Sequence, residues 1–183
     1  MMRAAYYYVF DSRSGRPCIT PGAQPKRRLN PHKALSRYVL DKKGEVVGRA
    51  FACWCAKQTW IDQQPTDRCV ALWKAGCAQD PLGEKDATRS IVRDRYQDTA
   101  LRATTIGVPT RDVGAAQFLA AWACTEPSVD AAMHDVMHMS CRWAEFAHPA
   151  ESTTAVRAME RRHCNMLLDA LGSSAPLSLF SHA

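Results

Sequence analysis

The sequence predicts a mainly α protein: a six-helix bundle or a stack of helical hairpins, preceded by a small, basic, β-containing N-terminal extension. Apolar residues recur at helical spacing from Glu45 to Leu171, in blocks separated by short connections containing Pro, Gly or Asp. One block, Ser128 to Ala147, is strongly amphipathic and has a start and a stop signal of its own. The charge is placed unevenly. Residues 1–49 hold eleven Lys or Arg against Asp11, Asp41 and Glu45, a balance of +8, whereas residues 50–183 balance at −2. These observations divide the chain into a basic extension at 1–44, a helical domain at 45–171 and a flexible tail at 172–183.

In order, Ala4 to Phe10 is rich in residues that favour strands, and Ser12 to Gly15 supplies a turn before Cys18-Ile19-Thr20, so a short hairpin is expected. Three prolines and the run Lys26-Arg27-Arg28 make 21–31 an exposed loop. Ala34 to Leu40 reads equally as a helical turn or a strand, with Asp41-Lys42-Lys43-Gly44 as a break after it. Glu45 to Trp60 buries most of a helix through Val46, Val47, Ala50, Phe51, Cys53, Trp54 and Ala56. Thr66 is a good N-cap for a second helix, running to Ala78 with Cys69, Val70, Leu72, Trp73 and Cys77 inward.

After the connection Asp80 to Gly83, a longer and more charged helix runs from Asp86 to Ile106. It has a sparse apolar stripe of Ile91, Tyr96, Ala100, Leu101 and Ala103, so it belongs on the outside. Thr110 and Asp112 begin a helix whose body, Gly114 to Cys124, is apolar nearly all round and is therefore central. Ser128 starts the amphipathic helix, with Asp130 in its first turn, where the helix dipole favours an anion, and His148-Pro149 ending it. Glu151 to Thr154 caps a last helix, which ends at Leu171 with Gly172 in the C′ position.

A chain of 183 residues buries roughly two-thirds of its unfolded surface and needs no disulfide to fold. No apolar run approaches the ~18 residues of a membrane span, so no membrane association is expected. The N-terminal MMRAAYYYVFDSR does not read as a secretory signal, which places the protein in the cytoplasm. Most of the eight cysteines fall inside predicted helices beside Ala, Leu or Trp, where a reduced cysteine behaves as a small apolar side chain. Cys53-Trp54-Cys55 is C-x-C, not the C-x-x-C of redox and zinc motifs.

Three constellations are weighed for chemistry. His134, His138 and Cys141 lie on one helical face, so two imidazoles and a thiolate can converge on Zn²⁺, with Asp130, Glu145, His163 or Cys164 completing the shell. The stripe lacks the Glu of H-E-x-x-H, and histidines four apart are common without a metal. No cofactor other than zinc is implied. His163-Cys164 is adjacent in sequence, but the two side chains diverge on a helix, which disfavours a thiol–imidazole nucleophile. Isolated glycines make no phosphate loop, and the scattered carboxylates offer no acid–base pair. The chain is therefore expected not to be an enzyme. The basic segment 26–49 suits phosphate neutralisation, an acidic protein partner or simple solvation.

Five stretches carry a resemblance: Ala50 to Ala56 (AFACWCA), Asp67 to Gly76 (DRCVALWKAG), the Ala-rich Val113 to Cys124, Ala131 to Ala147, and Ala158 to Leu167 (AMERRHCNML). In order, spacing and alanine-rich character, residues 50–171 resemble the all-helical immunity proteins of bacterial polymorphic-toxin systems. The resemblance implies stoichiometric binding to a protein target rather than turnover. It supplies no site residues.

The same class is reached without it. A small helical protein with many tryptophans and a charged appendage also fits an inhibitor encoded by a phage or plasmid against a host defence complex, such as an anti-CRISPR. Such an inhibitor buries aromatic anchors and steers association with charge. The expected contacts are Lys26, Arg27, Arg28 and Arg37 with Trp60 and Trp143, and also Trp54 and Trp73, wherever these tryptophans escape the core. The alternatives are a nucleic-acid-binding accessory protein using residues 26–49, and a zinc protein centred on His134, His138 and Cys141.

Overall fold

The computed structural model describes residues 7–10, 17–20, 31–78, 84–107 and 111–172. The chain is mainly α. The expected turn at 12–15, the loop at 21–30 with Lys26, Arg27 and Arg28, the connection at 80–83 and the tail from 173 lie outside the described residues. Two four-residue strands, β1 (Tyr7–Phe10) and β2 (Pro17–Thr20), pair antiparallel with Tyr7 opposite Thr20. Seven α-helices follow among the described residues: α1 (Pro31–Lys57), α2 (Asp67–Cys77), α3 (Glu84–Arg95), α4 (Gln97–Arg102), α5 (Val113–Ala123), α6 (Val129–Ala147) and α7 (Ser152–Gly172). Among them no helix is long and apolar enough to cross a membrane.

The ambiguity at 34–40 resolves as helix. Leu35 and Val39, four residues apart and so on one face, are buried in the central core. Leu35, Val39 and Leu40, placed with the N-terminal extension in the sequence, therefore pack with the helical body. The expected break appears as a kink inside α1, where Gly44 adopts φ 81° and ψ 177°. A side chain is disfavoured at that φ, and glycine lets the helix bend without ending. Beyond Lys57 the chain tightens into a 3-10 turn, Gln58–Trp60. Buried Gln117 pins this corner, donating from Nε2 to the carbonyls of Thr59 (3.0 Å) and Gln63 (3.1 Å).

Helices α1, α5, α6 and α7 build the centre, with Phe51, Met133, Val136 and Leu167 fully buried in or near it. The apolar run of α5 is central as predicted: every residue from Ala116 to Ala121 is buried. Gly48 lets α1 and α6 meet closely, since a Cβ there would stand 2.7 Å from Val129 Cγ1 and 2.9 Å from Met133 Sδ. Arg49 ties the same helices to the α5–α6 turn. Its Nη1 donates to the carbonyls of Cys124 (3.0 Å) and Glu126 (2.6 Å), and its Nη2 to that of Pro127 (3.0 Å). These carbonyls end α5 or follow it and have no intrahelical donor, so a cation there supplies both hydrogen bonds and charge complementarity.

Caps set the remaining starts. Thr66, Asp112 and Ser128 accept from the backbone N–H of Cys69, Ala115 and Ala131 at 3.4, 3.0 and 3.3 Å. The helix predicted over 86–106 is instead broken at Tyr96, whose φ of −109° and ψ of 8° leave the helical region. The break lets the Tyr96 ring meet Phe118 of α5 edge-on at 6.5 Å. After α4 the backbone widens into a π turn over Ala103–Gly107. Of the predicted apolar stripe, Ala100 is buried, but Ile91 and Leu101 face solvent, 68% and 58% exposed.

Candidate functional site

The expected metal stripe, His134, His138 and Cys141, lies on α6. His134 is exposed and its Nδ1 meets Asp135 Oδ1 at 3.1 Å. His138 is exposed as well. Partial burial of its ring against α6, followed by the charges of Arg142 and His134, draws its pKa below the ordinary imidazole value, with Asp135 opposing. Cys141 is half-buried, and burial followed by the Glu160 charge pushes its thiol up to about 12. Among the described residues no group of three or more His, Cys, Asp or Glu side chains is placed to hold a metal ion.

His163 and Cys164 part company as the helical spacing requires. His163 is fully buried and its Nε2 lies 3.1 Å from Ser140 Oγ on α6. The Ser140 hydroxyl also reaches the Met137 carbonyl at 3.1 Å. Phe51 and Trp54 present ring edges to the imidazole at 6.3 and 6.4 Å. This is a core hydrogen bond joining α6 to α7. The Cys164 thiol is pushed up to about 11, by burial first and then by Glu160.

The expected partner contacts divide. Arg37 is exposed on the first half of α1. Trp60 is half-buried, edge-on to Trp73 at 5.3 Å, and Trp54 and Trp73 are half-buried with it. Trp143, expected at an interface, is instead a core residue, 3% exposed, packed with Ala116, Phe146 and Met159. Its large ring fills the space between α5, α6 and α7, so none of it is left for a partner. Arg49, counted in the basic segment, is also committed, its guanidinium spent on the carbonyls that follow α5.

The structure opens a surface elsewhere. A cleft of about 470 Å³ runs along α3, α4 and the start of the π turn, with Trp122 of α5 as its inner wall and Ala100, Leu101, Asp94, Gln97 and Thr104 around it. Arg93 lies flat on Trp122, its Cζ 3.5 Å from the ring centroid. The guanidinium also donates to the Trp122 carbonyl (3.2 Å) and Thr125 Oγ1 (3.1 Å), and pairs with the Glu126 carboxylate. Four interactions hold one side chain, so this wall is preorganised.

The π turn gives the cleft its other edge. Thr104 Oγ1 lies within hydrogen-bonding reach of the Ala100 carbonyl (2.7 Å) and the Leu101 carbonyl (3.0 Å), and Thr105 Oγ1 donates to Leu101 at 2.8 Å. Single π turns recur at functional sites because the widened turn redirects side chains. Arg93 and Trp122 are 29 residues apart, and no local pattern joins them in the sequence. The signal that was present is the clustering of Arg89, Arg93 and Arg95 on a helix with few apolar residues. No protein-family model, no curated protein and no solved structure matches the chain.

Proposed function

We propose that the protein is a small protein-binding inhibitor that acts by stoichiometric binding rather than turnover. The two forms this takes are an immunity protein neutralising a bacterial toxin and a phage- or plasmid-encoded inhibitor of a host defence complex, such as an anti-CRISPR. The observation that supports it is exposed Leu101 lining a cleft walled by a fixed Arg93–Trp122 pair, with Ile91 also exposed on α3. Exposed aliphatic anchors flanked by Arg and Trp in a mixed-charge rim have the composition of a protein interface. The reading takes a six-helix bundle as the binding body and the basic N-terminal extension as a steering element. It requires neither cofactor nor metal, and it sets the encounter in the cytoplasm.

The test is affinity capture of the full chain from lysate of its native host, with and without nuclease, alongside the variant Ile91→Glu/Leu101→Glu. The expected result is one protein retained at near-equal stoichiometry in both wild-type runs, and its retention reduced at least ~10-fold in the variant, the loss of about 1.4 kcal/mol. Loss of the bound material on nuclease treatment overturns the reading in favour of nucleic-acid binding through 26–49. Undiminished retention by the variant removes the α3–α4 surface from it.

A further inference from the structure

The polar groups around the α3–α4 cleft are mostly acceptors. Arg93 is a wall there rather than an open cation: its Nη1 serves the Trp122 carbonyl and Thr125 Oγ1, and the Glu126 carboxylate matches its charge. Thr104 Oγ1 stands 2.7 Å from the Ala100 carbonyl and 3.0 Å from that of Leu101, so its proton has acceptors on the helix and its lone pairs remain for a donor. Asp94 is exposed at the cleft, and among the described residues no cation pairs with it. An ionised carboxylate only accepts. The apolar remainder is Ala100, Leu101 and the Trp122 ring, around a space of about 470 Å³.

We infer that this cleft receives one basic side chain, a lysine or arginine, of the protein partner; the inference rests on the protein-binding reading above. The methylene stem lies along Ala100, Leu101 and Trp122, and the charged head reaches the Asp94 carboxylate, with Thr104 as a second acceptor. Lys and Arg heads carry donors only, which is what these acceptors lack. An acidic head meets like charge at Asp94, and an aliphatic one gains nothing from it. The distribution of charge agrees, since the excess of cations lies in residues 1–49 while residues 50–183 balance at −2. Because Arg93 already holds its place on Trp122, the wall needs little ordering when the partner arrives.

The experiment titrates the isotope-labelled full chain with the peptide acetyl-Leu-Lys-Leu-amide and follows the Trp122 indole and Gln97 amide signals by NMR. Two comparison peptides carry norleucine or glutamate in place of lysine. The expected result is saturable shifts of both signals with the lysine peptide, binding ~2–5-fold weaker with norleucine, the worth of one exposed ion pair, and no saturation with glutamate. Asp94→Asn lowers the lysine peptide to the norleucine level while the signals of the core methyl groups stay in place. Equal binding of the lysine and norleucine peptides, a preference for glutamate, undiminished affinity in Asp94→Asn, or no shift at millimolar peptide overturns the inference. Asp94-dependent binding of the lysine peptide supports it even where lysate yields no partner, a result that overturns the proposed function alone.

Discussion

The helical centre and the α3–α4 pair treat their polar and apolar groups in opposite ways. In the centre Arg49 is held by three carbonyls, Gln117 donates to two, and His163 meets Ser140. On α3–α4, large apolar side chains are left in water, and Arg93 is fixed along an open cleft rather than inside a core. The α3–α4 pair leaves Ile91 and Leu101 exposed, with a fixed Arg93–Trp122 pair along its cleft.

The largest expected effect separates the two regions by stability. Phe51 is fully buried among α1, α6 and α7, stacked beside Trp54 at 6.2 Å. Phe51→Ala should cost ~3–5 kcal/mol. Leu101→Ala, on the exposed side, should stay within ~0.5 kcal/mol. Chemical denaturation of both variants checks this, and a large loss from Leu101→Ala would erase the distinction between the regions.

Arg49→Met tests the centre's polar economy with a smaller expected effect. The substitution keeps much of the side-chain bulk but deprives the carbonyls of Cys124, Glu126 and Pro127 of their donor. A loss of ~1–3 kcal/mol is expected, the penalty for buried acceptors left unsatisfied. Hydrogen exchange should show the loss concentrated at the α5–α6 turn. A neutral result would mean that water replaces the guanidinium without cost.

How legible each region was in the sequence follows the same divide. The run from Val113 to Ala123 announces a central helix because nearly every position is apolar, and Thr66, Asp112 and Ser128 announce starts because their oxygens meet local N–H groups. These signals act within a few residues. The first half of α1 was ambiguous because Lys42-Lys43-Gly44 resembles a terminus, whereas only long-range burial of Leu35 and Val39 carries the helix through. Tyr96 gives no local breaking signal; the break serves its ring contact with Phe118. The Arg93–Trp122 wall is likewise a tertiary product. Helical spacing did set His134, His138 and Cys141 on one stripe, but spacing does not report that the two histidines are exposed while Cys141 is half-buried.

That stripe supplies the smallest expected effect. Burial, Arg142 and His134 all disfavour the His138 imidazolium in the folded protein, with Asp135 only partly opposing. The unfolded chain, at the ordinary imidazole value of about 6.5, therefore binds the proton more readily. Because the folded pKa is the depressed one, the native state keeps its full margin above the ordinary value and loses part of it as pH falls through the folded value. His138→Gln removes this contribution, so the stability difference between wild type and variant should shift against the wild type on acidification and level off once both states are protonated. Ring-proton NMR should place the His138 midpoint below that of a free imidazole. A midpoint at or above it would show that Asp135 outweighs the cations and that the α6 surface is more acidic in effect than its neighbours imply.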